Sequence, residues 1–182
     1  MNVLRIIGIA LVTIGIQWLL IQDLPLTEFG NPYIYLWAFF IIPFRTSKAT
    51  TYIIASVIGS ILDSLEQSGG SHTIACLLTV AAKPSVENFL YGFKEENSTD
   101  TLSSLTLAKF LPVASIIVLV HHGVLFSVEN SGFSQFSALG LRILVSTLST
   151  VGLLTISPSV YVFEGADFFI HNLPCDCENL AK

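Results

Sequence analysis

The chain has 182 residues, of which 52% are hydrophobic and only 12% charged, and its mean hydropathy is +0.73. Soluble domains carry about 25% charged residues, so this chain has too few to cover a water-facing surface, and we expect a polytopic membrane protein. Its net charge of -5 and the lack of a basic patch argue against a nucleic-acid-binding protein.

Six apolar runs predict an all-α bundle of six transmembrane helices in one domain, residues 1–173, followed by a short cytoplasmic tail, residues 174–182. The predicted spans are 3–22, 32–44, 49–66, 72–83, 106–128 and 136–162. The first run lacks a small-x-small cleavage site and further spans follow it, so we expect a retained helix rather than a signal peptide. The second and fourth runs are shorter than the roughly 20 residues that cross a bilayer. They predict short helices enclosed by protein, with re-entrant segments as the alternative.

The basic residues indicate the orientation of these spans. With six spans, seven of the eight fall on one side of the membrane, and Arg142, inside the sixth span, is the exception. The positive-inside rule then places both termini in the cytoplasm. Lys83-Pro84 is expected to end the fourth helix, and residues 85–93, "SVENFLYGF", to lie on the inner membrane surface as an amphipathic helix.

Polar residues inside the apolar runs predict helix surfaces that face other helices, because contact with lipid does not stabilise polar side chains. Asp63, Arg142 and His122 all fall within roughly 10 Å of the predicted outer surface, at about 1.5 Å per residue. An unpaired charge in the membrane costs at least about 2.5 kcal/mol. We therefore predict an Asp63–Arg142 ion pair with His122 nearby. His121 lies about 100° round the helix from His122 and is expected to face a neighbouring helix or the headgroups.

Metal binding, proton transfer and catalysis are the chemical roles open to these residues. A zinc site needs three or four convergent ligands, whereas the adjacent His121 and His122 diverge. Cys175 and Cys177 with His171 form only a weak candidate for a metal site in the tail. A proton relay through Asp63 and His122 is chemically open, because histidine titrates near neutral pH. A structural network that holds the helices together is favoured. No catalytic motif appears, so we expect no enzyme and no cofactor.

Four segments of the sequence together resemble the MreD family of rod shape-determining proteins. They are "NPYIYLWAFFIIPFRTSK", "IGSILDSLEQSGGSHTIACLLTVAAKP", "VLVHHGVLFSVENSGF" and "LRILVSTLSTVGLL". The resemblance runs from about Asn31 to Leu154, and its most typical part is the step from Gly59 to Asp63 followed by the turn from Gly70 to His72.

The resemblance implies a non-enzymatic scaffold of the cell-elongation machinery in the bacterial inner membrane, which helps to maintain rod shape and to organise lateral peptidoglycan synthesis. It implies direct binding to the single-span protein MreC. MreB, RodA and its cognate penicillin-binding transpeptidase are implied in the same complex, and membrane lipid surrounds it. Residues expected to face the partner or to pack helices are Gly59, Gly70, His72, His121 and Glu129.

The implied fold is similar to the six-helix substrate-binding component of energy-coupling-factor vitamin transporters, which supplies the alternative function. In that case Asp63, His122 and Arg142 line an outward pocket for a vitamin or small solute. The spacing of Gly8 and Gly15 in the first helix matches only weakly the small residues with which such components dock their coupling protein. A lipid-binding accessory protein is a further alternative that the sequence does not discriminate.

Overall fold

The computed structural model describes residues 3–21, 30–44, 46–92, 101–102, 105–130 and 136–156. Within these residues the chain is all helical, as predicted, and has no strand. The α-helices are α1 (Val3–Ile16), α2 (Trp37–Phe40), α3 (Lys48–Glu66), α4 (Ser71–Tyr91), α5 (Leu107–Glu129) and α6 (Phe136–Ile156). A π-helical turn, Gln17–Ile21, continues α1, and a 3-10 turn, Ile34–Leu36, leads directly into α2.

Helices α3 to α6 pack in chain order, each against the next. The α3–α4 turn is short because Gln67 and Gly70 both adopt the left-handed backbone region, with φ of 53° and 103°. Close packing of α3 on α4 depends on Gly59, since a Cβ there would lie 2.4 Å from the Thr73 Cα. No side chain larger than hydrogen fits at that contact without separating the helices.

The second predicted span contains only seven helical residues, from Ile34 to Phe40, and these lie in the centre of the protein. Tyr35, Leu36 and Phe39 have no exposed surface. The expectation that protein encloses this segment agrees with its burial.

The backbone N–H groups at the start of this segment donate hydrogen bonds to side chains of two helices that flank it. Gln17 Oε1 accepts the Ile34 N–H at 2.8 Å, Ser146 Oγ accepts the Asn31 N–H at 3.0 Å, and Thr150 Oγ1 accepts the Tyr33 N–H at 2.9 Å. Buried backbone N–H groups need partners, and outside a helix only side chains can supply them here. The polar face of α6 therefore serves the backbone of another segment.

The expectation that Lys83-Pro84 ends the fourth helix is wrong, because α4 continues through Pro84 to Tyr91. Proline removes one backbone hydrogen bond from a helix interior. Val86 and Leu90, beyond it, pack against the core, and this burial offsets the loss. Most of "SVENFLYGF" is thus the last part of α4 and not a separate surface helix.

Among the described residues, two helices are long and apolar enough to cross a membrane: Leu107–Glu129, with a mean hydropathy of 2.0, and Phe136–Thr155, with 1.6. Residues 22–29 and 131–135, the cysteine tail and the end of the sixth predicted span lie outside the described residues.

Candidate functional site

A chain of hydrogen-bonded side chains runs from the α3–α4 turn into the core. Glu66 Oε2 lies 2.8 Å from His72 Nε2, and His72 Nδ1 lies 3.1 Å from the Tyr35 hydroxyl. The same hydroxyl lies 2.7 Å from His121 Nε2, and His121 Nδ1 lies 3.0 Å from the Thr79 hydroxyl. Thr79 donates to the Ala75 carbonyl at 2.6 Å. We call these five side chains the polar chain.

Four packed elements position the polar chain. Glu66 ends α3, His72 and Thr79 lie two turns apart on α4, His121 lies on α5, and Tyr35 comes from the central 3-10 turn. Both histidines are fully buried, and only Glu66, whose side chain is 14% exposed, reaches the surface. The polar chain therefore joins α3, α4, α5 and the central segment in buried surroundings, where the local dielectric is low and hydrogen bonds are strong.

Asp63 caps α4. Its Oδ1 accepts the His72 N–H at 2.9 Å, and its Oδ2 accepts the Thr73 N–H at 3.0 Å and the Thr73 hydroxyl at 2.6 Å. The Ser68 hydroxyl also donates to Oδ1. Gly70, the residue at the N-cap position of α4, has no side chain, and the carboxylate of Asp63 takes that role at the positive end of the helix dipole.

The predicted Asp63–Arg142 pair does not form. Arg142 Nη2 lies 3.5 Å from Glu129 Oε2, and its guanidinium lies over the Phe126 ring, 4.2 Å from the centroid. Asp63 instead uses its lone pairs on the start of α4. The positions of Asp63 and Arg142 along their predicted spans place both charges at the same depth in the membrane. These positions do not show that each residue has a nearer partner on the adjacent helix.

His122 belongs to a second cluster beside the polar chain. Its Nδ1 lies 3.1 Å from the Thr147 hydroxyl, and its ring stacks on Phe126 and contacts Tyr33. It is fully buried, and its Nε2 has no hydrogen-bond partner among the described residues. His122 therefore faces inward, as predicted, and approaches Arg142 through Phe126 rather than through Asp63.

The remaining predicted residues fall into three places. Gly59 packs helices and Gly70 begins α4, whereas Glu129 borders a cleft of about 230 Å³ that Asn130, Ala138, Leu139 and Arg142 complete. His72 and His121 are inside the protein, so the alternative that His121 faces the headgroups is wrong. The two adjacent histidines diverge as predicted, towards Thr79 and Thr147.

Sequence reasoning missed Tyr35, Thr79 and the role of Glu66 in the polar chain. Tyr35 lies inside the predicted span 32–44, and a tyrosine hydroxyl in a buried segment usually has a hydrogen-bond partner. It also missed a buried ion pair on α4, in which Lys83 Nζ lies 3.7 Å from Glu87 Oε1 and 3.4 Å from the Ile42 carbonyl. The i, i+4 spacing of Lys83 and Glu87 is the sequence pattern that could have predicted this pair.

Among the described residues, no three histidine, cysteine or acidic side chains converge as they do in a metal site. Comparison with family models, curated proteins and solved structures found no match to the chain.

Proposed function

We propose that this chain is an MreD-like, non-enzymatic scaffold of the bacterial inner membrane that binds MreC and helps to organise lateral peptidoglycan synthesis. The proposal rests on the resemblance of four sequence segments, in order, to that family. It also rests on how the buried polar groups are used.

The observation that carries the proposal is the internal use of both buried histidines of the polar chain. Both ring nitrogens of His72 and both of His121 have hydrogen-bond partners within the protein. A histidine that acts on a substrate needs a ring nitrogen within reach of it. Here the nitrogens connect α3, α4, α5 and the central segment, which supports a structural role.

The distribution of exposed apolar side chains supports a membrane location. Large exposed hydrophobic residues occur on five helices. Examples are Leu11 on α1, Ile53 on α3, Phe89 on α4, Leu119 on α5 and Leu148 on α6. A water-soluble monomer rarely exposes such a quantity of apolar surface. In the proposal the chain is multi-pass with both termini cytoplasmic, and these residues face lipid.

The proposed contact surface for MreC is the outer rim formed by the α3–α4 turn, Glu66 to His72, together with Glu129. This rim is held by Asp63 and by the polar chain beneath it. Because the turn depends on hydrogen bonds to α4, a change at Asp63 should alter the rim without altering lipid-facing residues.

Depletion of the protein in its host, with vitamins supplied in the medium, tests the proposal. We expect cells to round and swell, and expect tagged protein to co-purify with the host's MreC. Asp63→Ala should insert in the membrane but retain less MreC than Ser64→Ala, a neighbouring exposed change. Normal cell shape after depletion, or equal MreC recovery by both variants, would contradict the proposal.

One observation favours the alternative, a binding component for a small solute. His122 Nε2 is buried without a hydrogen-bond partner among the described residues, and Arg142, which like His122 contacts the Phe126 ring, lines the cleft of about 230 Å³. Vitamin-dependent growth of depleted cells with normal shape would support this alternative and reject the scaffold.

A further inference from the structure

The direction of every hydrogen bond in the polar chain can be worked out from its buried end. Thr79 Oγ1 lies 2.6 Å from the Ala75 carbonyl oxygen, which can only accept. Because two oxygens at this distance need a proton between them, the single hydroxyl proton of Thr79 points to that carbonyl. Thr79 must then accept from His121, which places a proton on His121 Nδ1. Since a neutral imidazole carries one proton, His121 Nε2 is left as an acceptor.

The next hydrogen-bonding group towards the surface is the Tyr35 hydroxyl. Its hydroxyl proton must point to His121 Nε2, across 2.7 Å. The Tyr35 oxygen therefore accepts from its other neighbour, and that neighbour is His72 Nδ1, at 3.1 Å. His72 Nδ1 thus carries a proton, and a neutral His72 would present an unprotonated Nε2 to Glu66.

An unprotonated Nε2 facing a carboxylate oxygen at 2.8 Å would place two acceptors in contact. We propose that His72 and Glu66 form a proton-binding site, which holds one proton between Nε2 and Oε2 in the folded protein at neutral pH. The bound proton completes a one-way series of hydrogen bonds from the surface to the Ala75 carbonyl. This inference does not depend on the identity of any partner.

Charged and titratable groups approach His72 from the elements packed around it. Glu66 and Asp63 approach from α3, and Glu129 on α5 interacts with His72 electrostatically. The central segment contributes the neutral Tyr33 and Tyr35 rings, and α5 contributes the neutral His121. From α6, Arg142 approaches this region, and Glu129 is its partner. Carboxylates therefore outnumber cations around the site.

The series of hydrogen bonds ends in the core at the Ala75 carbonyl, which has no proton to donate. A through-membrane proton path would need a further donor or acceptor beyond it. The site instead binds a proton where Glu66 meets solvent, and it couples that proton to the α3–α4 turn.

Nuclear magnetic resonance of the full chain in detergent micelles, labelled with ¹⁵N-histidine and ¹³C-glutamate, tests the proposal. His72→Gln identifies the His72 signals by their loss. In the wild type we expect one proton in the pair: either both His72 nitrogens protonated beside an ionised Glu66, or a protonated Glu66 carboxyl beside a singly protonated His72. An ionised Glu66 beside a singly protonated His72 at neutral pH would overturn the proposal.

Two variants make the test specific, and each predicts a different tautomer. In Glu66→Gln the side-chain amide can donate to Nε2, so His72 should become neutral with its proton on Nδ1. In Tyr35→Phe the acceptor for Nδ1 is lost, so neutral His72 should carry its proton on Nε2 and donate it to Glu66. If both variants keep the wild-type His72 spectrum, the hydrogen-bond directions deduced here are wrong.

Discussion

Asp63 caps α4 through Thr73: its Oδ2 accepts both the Thr73 backbone N–H, at 3.0 Å, and the Thr73 hydroxyl, at 2.6 Å. A side chain of one helix thereby supplies the N-terminal cap of the next. The turn between them is fixed at both ends, which explains why its left-handed residues, Gln67 and Gly70, are held in place.

Replacement of Asp63 by Ala should therefore destabilise the protein by about 2 kcal/mol, because it removes a cap and leaves buried donors without a charged acceptor. Asp63→Asn should lose less, since its amide oxygen still accepts. Thermal unfolding in detergent micelles measures both. Ser64→Ala is the matched control, because the Ser64 hydroxyl bonds only to the Ser60 carbonyl of its own helix on an exposed face. A loss in Ser64→Ala as large as in Asp63→Ala would remove the cap as the explanation.

Gly59 should tolerate no side chain. A Cβ would lie 2.4 Å from the Thr73 Cα and 2.8 Å from the Thr73 nitrogen, which are backbone atoms that cannot rotate away. We expect Gly59→Ala to cost about 1–3 kcal/mol in unfolding free energy, the usual range for overpacking. Gly140→Ala on α6 is the control, since a Cβ there meets no described residue within 4 Å and alanine favours the helix by up to about 1 kcal/mol. Equal stability of the two variants would show that α3 and α4 can separate freely.

The positions of the helices could be predicted from the sequence because apolar runs and local end signals determine them. The predicted span 49–66 corresponds to α3, which begins after Ser47, whose hydroxyl accepts the Thr50 N–H. The predicted span 106–128 corresponds to α5 in the same way. The end of α4 could not be predicted from the sequence. Proline usually ends a helix, but packing of the residues beyond Pro84 keeps this helix intact.

The pairing of polar side chains could not be predicted, because it depends on how helices rotate and approach each other. Depth along a helix placed Asp63 and Arg142 at one level, but the short α3–α4 turn gives Asp63 a nearer set of donors. The sequence predicts that polar residues inside the apolar runs face inward. It does not show that Ser146 and Thr150 accept hydrogen bonds from the non-helical backbone N–H groups of Asn31 and Tyr33. A segment without helical hydrogen bonds at this depth leaves no periodic signal in the sequence.

A double-mutant cycle should distinguish the observed ion pair from the predicted one. Asp63→Ala and Arg142→Ala should be additive to within about 0.5 kcal/mol, because these residues share no partner. Glu129→Ala and Arg142→Ala should show coupling of up to about 1 kcal/mol, limited by the partial exposure of the Arg142 side chain. Unfolding free energies of the single and double variants in micelles supply both values. Strong Asp63–Arg142 coupling with none between Glu129 and Arg142 would support the predicted pair instead.

Thr150 should contribute more to the free energy of unfolding than its neighbour Ser149, although both are hydroxyl residues on α6. Thr150 Oγ1 accepts the buried Tyr33 N–H at 2.9 Å, and Thr150→Val keeps nearly the same shape but removes this acceptor. An unsatisfied buried N–H costs about 1–3 kcal/mol, so unfolding free energy in micelles should fall by that amount. Ser149 bonds only to the Val145 and Ser146 carbonyls of its own helix, so Ser149→Ala should be nearly neutral.

Hydrogen exchange at the Tyr33 amide gives this last prediction a local readout. In Thr150→Val the amide loses its acceptor, so its exchange should become faster, while amides in the middle of α5 should exchange as slowly as in wild type. Unchanged protection of Tyr33 together with unchanged stability would mean that α6 does not hold the extended segment. A uniform increase along the whole chain would instead mean that the variant destabilises the bundle globally and that the Tyr33–Thr150 bond is not a local determinant.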